Sequence, residues 1–345
     1  MTEGNSKQQA QSLCPTLSAS VHSPLAGSHK QRISHRIRPI LGTQCVLQMT
    51  VQSDIKKSRK YEMETYLGAM KALYENAIAQ NGEINDFAFE LTHGFSSITA
   101  SAIIADPRII KILRYSIAPS ISQMKFGQMF GISSVGVFED AKGRLSSQLK
   151  RIAPQIATFA TKHLDRARFG WLDDATLSIP VARDYARQWT CSIAADQNAQ
   201  TSFRHWRKEL QEQAILQFLI SKGYVKSSLS GILTRSTDIA IGEYKQETRV
   251  RGRTTQKADV VFRSKRTKKL ILIEAKAVGV ELDATKRAKE CCDKANDWRS
   301  SDELQPLDVI CVIGGFFTET NLKNLVASGI NIVWEHNLSM LKEYV

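Results

Sequence analysis

The chain has 345 residues, enough for two domains with separate cores, and its 42% apolar and 23% charged contents are ordinary for a globular protein. No window approaches about eighteen consecutive apolar residues, which excludes a membrane-spanning helix. The formal charge of +13 points to a polyanionic partner, nucleic acid first.

Residues 1–48 are rich in Ser, Gln and His, carry Glu3 as their only acid, and lack sustained periodicity. That composition predicts a disordered extension, and Met49 reads as a natural beginning. The six cysteines (Cys14, Cys45, Cys191, Cys291, Cys292, Cys311) form no C-x-x-C pair and have no His partners at zinc spacing. A zinc site or disulfide scaffold is therefore not expected, and reduced thiols fit an intracellular, cytoplasmic protein.

From 49 to 200 the pattern predicts a helical domain, with spaced-apolar stretches such as Tyr61–Ile78 and Leu145–His163 punctuated by Pro107, Pro119, Pro154 and Pro180. Within it, residues 122–140 resemble a helix-turn-helix. Gly127 stands where two helices would cross, Gly131 at the turn, and Phe126, Phe130, Ile132 and Val137 in the core. A second helix from Ser133 to Asp140, beginning Ser133-Ser134, would then enter the major groove. Asp140 departs from the pattern, since an apolar residue belongs there.

A new organisation is expected from 201 to 345. Phe203 to Lys222 reads as a helix ended by Gly223, with Phe203, Trp206, Leu210 and Ala214 as its stripe. Glu212 lies at helical spacing from Ile215, Leu216 and Leu219, placed either on the rim or to reach a metal as an outer ligand. Two apolar runs follow, Ala258–Phe262 and Leu270–Ala275, separated by the polar Arg263–Lys269. They predict an antiparallel hairpin. A turn centred on Arg266 and Thr267 pairs Asp259 with Glu274, and directly opposed residues have Cβ atoms about 5 Å apart. Two carboxylates so placed repel each other unless a cation lies between them, and oxygen ligands suit Mg²⁺. Lys276 shares the face of Glu274, whereas Ala275 points away.

The arrangement D-x14-E-A-K resembles the PD-(D/E)xK nuclease signature. A second E-x-K stands at Glu243-Tyr244-Lys245, with Asp238 upstream, but it runs on into the polar Gln246–Arg249. The later copy follows Leu270–Ile273, a run apolar enough for a buried strand, where a carboxylate is costly without a partner. Lys245 to Lys269 holds ten Lys and Arg against Glu247 and Asp259, so Arg249, Arg251, Arg253 and Lys257 are candidate phosphate contacts. Downstream, Asp283–Trp298 reads as a helix whose small stripe is Ala284, Ala288, Cys291, Ala295 and Trp298, with Lys286 and Arg287 as further DNA candidates. A strand at Leu307–Ile313, a helix near Thr320–Ala327, a strand at Asn331–Trp334 and a last helix from Asn337 complete an α/β layer with a mixed sheet.

Over residues 204–345 the chain resembles the XamI-type family of type II restriction endonucleases. The resemblance rests on an ordered set of short pieces. They are Gln211-Glu212 with Gly223-Tyr224, Lys257-Ala258-Asp259-Val260-Val261, Ile273-Glu274-Ala275-Lys276 with Lys286-Arg287 and Asp297-Trp298-Arg299, and Val333-Trp334-Glu335-His336-Asn337-Leu338-Ser339. Where the family continues with a Ser-Asn stretch after the lysine, this chain reads Ala277-Val278-Gly279-Val280. The resemblance implies a C-terminal PD-(D/E)xK nuclease core behind a mostly α-helical domain, and Mg²⁺-dependent hydrolysis of double-stranded DNA at a short specific sequence. Asp259, Glu274 and the Ala275 carbonyl would hold one or two Mg²⁺. Lys276 would orient or help deprotonate the attacking water. A homodimer and a functional pairing with a DNA methyltransferase are implied as well. A structure-selective repair or recombination nuclease and a non-catalytic helix-turn-helix regulator are the alternatives.

Overall fold

Helices α1 (Leu41–Leu91) and α7 (Pro180–Ser221) are the long axes around which the rest is arranged. The computed structural model describes residues 41–133, 135–139 and 146–345, with side chains from Thr50 onward and Val137 excepted. Of the expected N-terminal extension, residues 1–40 lie outside the described residues, and 41–48 are the first turns of α1. The two helices run antiparallel. Tyr66 meets Phe203 edge to face, Cys191 Sγ donates to the Ile78 carbonyl, and Asn85 donates to the Arg187 carbonyl. Buried Ala77 and Ala88 on α1, with Ala186, Ala194, Ala195 and Ala199 on α7, leave room for that approach.

The boundary expected at 200/201 falls inside α7, which continues through it. After Pro180 at its first turn this helix holds no Gly or Pro, so nothing in it interrupts the backbone ladder. Its polar stretch Asp196–Gln200 is used between helices, Asn198 donating to Asn81 Oδ1. The helix ends at Gly223, whose φ of +74° suits glycine, with Tyr224 N bonded back to the Leu219 carbonyl. Its buried face after Phe203 also differs from the expected stripe: Trp206 is exposed, and Arg207 and Gln211 are buried instead. Arg207 is matched there by Glu62 and by Glu335, which accepts from both of its terminal nitrogens (2.7 and 2.6 Å). A buried guanidinium with two carboxylates reads as surface in a polarity pattern. Removing one partner from such a group costs about 3–5 kcal/mol.

Between the long helices lie α2 (Ala100–Ala105), α3 (Ile109–Ser116), α4 (Gln123–Phe130), α5 (Gly136–Glu139) and α6 (Ser147–His163). Their core includes Phe95, Ile103, Ile110, Phe126, Leu149 and Phe169. Pro154 lies inside α6 and does not end it; its ring is on the exposed side, where water can reach the freed carbonyl. Gly127 faces the Ile132 carbonyl so closely that a Cβ would stand 2.7 Å from it, and Gly131 ends α4 at φ +62°. The second helix expected at Ser133–Asp140 is described only as α5, and Ser134 and Asp140 lie outside the described residues.

The sheet has the order β1-β2-β3-β4-β5-β6. Its strands are β1 (Val225–Lys226), β2 (Glu243–Arg251), β3 (Thr255–Arg263), β4 (Leu270–Val278), β5 (Leu307–Gly315) and β6 (Asn331–Trp334). Strands β2, β3 and β4 form an antiparallel meander, and β4, β5 and β6 run parallel through α8 (Glu281–Arg299) and α9 (Glu319–Ala327). The mixed α/β class expected from the sequence is observed. One face packs on α8 and α9 through Leu272, Val309, Ile313, Ala288, Trp298 and Leu325; the other packs on α7 through Ile215, Leu216 and Leu219. The last helix expected from Asn337 is instead 3-10 turns over Glu335–Glu343, kinked at Asn337 (φ −143°, ψ 61°). There the Asn337 side chain accepts from Ser339 Oγ.

Candidate active site at the strand fork

In the β3–β4 hairpin, Val260 pairs with Ile273, Val261 with Leu272 and Phe262 with Ile271. The turn is therefore centred between Arg266 and Thr267, and the next positions, Asp259 and Glu274, stand opposite each other. The backbone ladder stops there and the strands part. A side-chain bond replaces it, Ala275 N donating to Asp259 Oδ2 at 2.8 Å. Lys276 Nζ reaches over the same gap, 2.5 Å from Glu274 Oε2 and 3.6 Å from Asp259 Oδ2. Asp259, Glu274 and Lys276 thus come together at a fork between two strands.

Three charged residues at the fork were missed by the sequence reading. Strand β2 pairs with β3 in a register that sets Glu247 opposite Asp259, between the pairs Gln246–Val260 and Thr248–Ala258. Glu247 adopts φ +49°, a left-handed conformation that costs a non-glycine residue about 1–3 kcal/mol. Glu247, Asp259 and Glu274 so form one row across three neighbouring strands. The signal was available: Glu247 and Asp259 are equidistant from Arg253, the centre of the β2–β3 turn. Glu212 rises from α7, and carboxylate oxygens of Glu212, Glu247 and Asp259 lie within 4.8 Å of one another. Lys208, one helical turn before Glu212, pairs with Glu212 (3.2 Å) and Glu247 (2.9 Å). Lys294 on α8 donates to Glu274 Oε1 (2.7 Å) and to the Lys257 carbonyl (2.6 Å).

Burial dominates the electrostatics. Glu274 is fully buried, and desolvation together with the Asp259 charge holds its carboxyl above the ordinary glutamate range, while Lys276 and Lys294 pull it down. Desolvation and Asp259 raise Glu212 in the same way, against Lys208. For Lys276 burial works against the charge, but Glu274 and Asp259 outweigh it, so the amine holds its proton above the ordinary lysine range. The donor set is carboxylate and carbonyl oxygen, which suits a hard divalent cation. Glu212 Oε1 is buried against one cation, the Lys208 ammonium at 3.2 Å, and Lys276 Nζ lies as a second cation between Asp259 and Glu274. The residues present fit a Mg²⁺-type ion.

The XamI restriction endonuclease family matches residues 93–334, a span that begins after α1 and takes in α2 to α7 and every acid of the fork. The chain belongs to that family. It is also 25% identical over 304 residues to the type II restriction enzyme SalI of Streptomyces albus G, covering 84% of this chain and 95% of the relative. Membership in the XamI restriction endonuclease family makes it a nuclease acting on DNA.

The remaining candidate residues of this family member are distributed unevenly. Arg249, Arg251 and Arg253 are exposed on β2 and the turn after it. That turn is anchored on α8: Thr254 N and Oγ1 donate to Asp297 Oδ1 (2.9 and 2.8 Å), and Gly252 presses against the Asp297 backbone where no Cβ would fit. Lys257, expected to meet phosphate, is half exposed and paired with Glu247. Arg287 is paired with Glu290 at 2.9 Å, whereas Lys286 is exposed on α8. Ser133 is exposed after Gly131, and Ser134 lies outside the described residues. No helix among the described residues is long and apolar enough to cross a membrane.

Proposed function

We propose that the chain is a type II restriction endonuclease with a PD-(D/E)xK core, which hydrolyses double-stranded DNA at a specific sequence with Mg²⁺. The observation that supports this most is the fork itself, where Asp259, Glu274 and Lys276 meet on diverging strands. Asp259, Glu274 and the Ala275 carbonyl would hold the ion, with Glu212 as an outer ligand. A Mg²⁺ bound there would polarise the scissile phosphate and offset the charge that grows on it. Lys276, beside both acids, would orient the attacking water or help to deprotonate it, and would face the phosphate. Water oxygen ends on phosphorus, the ester P–O bond breaks, and the leaving oxygen takes up a proton. Arg249, Arg251 and Arg253 would grip the backbone, and the helix-turn-helix-like segment at 122–140 would add groove contacts. A twofold homodimer is the simplest arrangement for cutting both strands of a symmetric site, and a partner DNA methyltransferase would protect the host.

Plasmid DNA incubated with the chain, in Mg²⁺ and in EDTA, tests this reading. Discrete fragments in Mg²⁺ alone are expected. Ragged or structure-limited cutting would favour a repair nuclease, and bound but intact DNA a regulator.

A further inference from the structure

Every acid at the fork is matched by a lysine. Glu212 and Glu247 face Lys208 and Lys257; Asp259 and Glu274 face Lys276 and Lys294. The two sets differ in exposure. Lys208 and Lys257 are about half exposed (47% and 46%), where water and salt screen them, while Lys276 and Lys294 are 14% and 24% exposed. The inner four groups therefore set the potential that an approaching phosphate meets.

We infer that Lys294 is a positioning residue that keeps the Asp259–Glu274 pair neutral, so that DNA binds before the metal ion does. This rests on the nuclease reading of the fork. Lys276 alone would leave one net negative charge in a buried place, and a carboxylate facing a phosphate repels it. Lys294 supplies the missing charge from a separate element. Its ammonium is fixed by two acceptors, Glu274 Oε1 and the Lys257 carbonyl, and the second belongs to the part of β3 that has left the β4 ladder. The same bond holds the gap between the strands and the direction of the Glu274 carboxylate. Lys276 occupies the other oxygen, on the side facing Asp259, so the two lysines divide the work. Lys276 Nζ lies between the two acids, and Lys294 Nζ holds the other oxygen of Glu274.

The test is the affinity of full-length protein for a duplex fragment that the wild type cuts, at pH 8 and fixed salt, in EDTA and in Ca²⁺. Lys294→Met should bind about tenfold more weakly than wild type in EDTA and recover in Ca²⁺, because a divalent ion replaces the lost charge. Lys294→Arg should behave as wild type. The charge-balanced pair Lys294→Met with Glu274→Gln should bind in EDTA as wild type, and it serves alone if the single variant does not fold. A loss of equal size in EDTA and Ca²⁺, no loss in the folded single variant, or a tenfold loss in the balanced pair would overturn the inference. Cleavage by a Glu274→Ala chain would instead overturn the nuclease reading of the fork, and the inference with it.

Discussion

Glu243-Tyr244-Lys245 on β2 and Glu274-Ala275-Lys276 on β4 carry the same E-x-K spacing on strands that flank β3, yet their surroundings differ entirely. Glu243 is half-buried and accepts from Ala240 N in a local turn, and Lys245 donates to the Leu229 carbonyl. Glu274 is fully buried, held by two lysines and faced by Asp259. The cause is register. β3 is antiparallel to both neighbours, and the two triplets meet different parts of it. Glu243, at the start of β2, stands across from Arg263 at the end of β3, whereas Glu274, midway along β4, stands across from Asp259 in the middle of β3. A triplet acquires chemistry from the residue that stands across from it.

The largest expected effect separates the two triplets. Asp259→Ala or Glu274→Ala should lower kcat by about a thousandfold or more, since the charge stabilisation they organise is several kcal/mol. Glu243→Ala and Lys245→Ala, assayed on the same plasmid, should stay within about twofold, because both side chains are spent on local backbone contacts away from the fork. Comparable losses from both pairs would break the distinction.

A smaller effect should come from the acids that complete the row. Glu212→Gln and Glu247→Gln are expected to raise the Mg²⁺ needed for half-maximal cleavage by about 10–100-fold, as outer partners of a metal do. Glu212 and Glu274 are both held above the ordinary glutamate range, so each takes up a proton at a higher pH than a free side chain. Protonation removes a ligand. Cleavage at limiting Mg²⁺ should therefore fall on the acid side above the range of free glutamate, and more Mg²⁺ should move that limb to lower pH. A limb unmoved by Mg²⁺ would place the titrating group elsewhere.

The smallest effect concerns binding. Arg251→Ala with Arg253→Ala should weaken affinity for all duplexes alike and flatten the salt dependence by about two counterions. Measuring Kd across a salt series reads this directly; an unchanged slope would turn those arginines to solvent.

How much of this was legible in the sequence follows the same division. The β3–β4 register was readable because a polar run lies symmetrically between two apolar ones, and the Ala284–Trp298 stripe because small residues repeat at helical spacing. Glu247 showed only through its symmetry with Asp259 about Arg253, because it sits in a polar stretch and its positive φ breaks the alternation that would otherwise mark it. Lys294 was hidden as one lysine among several on α8, since a helix sequence does not say which flank overlooks a strand fork. Arg207 misled in the opposite sense: its partners Glu62 and Glu335 are more than a hundred residues away, so its burial could not be read locally. The continuity of α7 was obscured by Asp196–Gln200, whose polarity serves a contact with α1 and not a linker.

Crystals grown with Mn²⁺ in place of Mg²⁺ test the placement of the metal site most directly, through the anomalous signal of the ion. The expected result is a peak bound by the Asp259 and Glu274 carboxylates and the Ala275 carbonyl, with Lys276 Nζ displaced from between the acids. A peak at Glu243, or at any set of ligands that omits both Asp259 and Glu274, would contradict it.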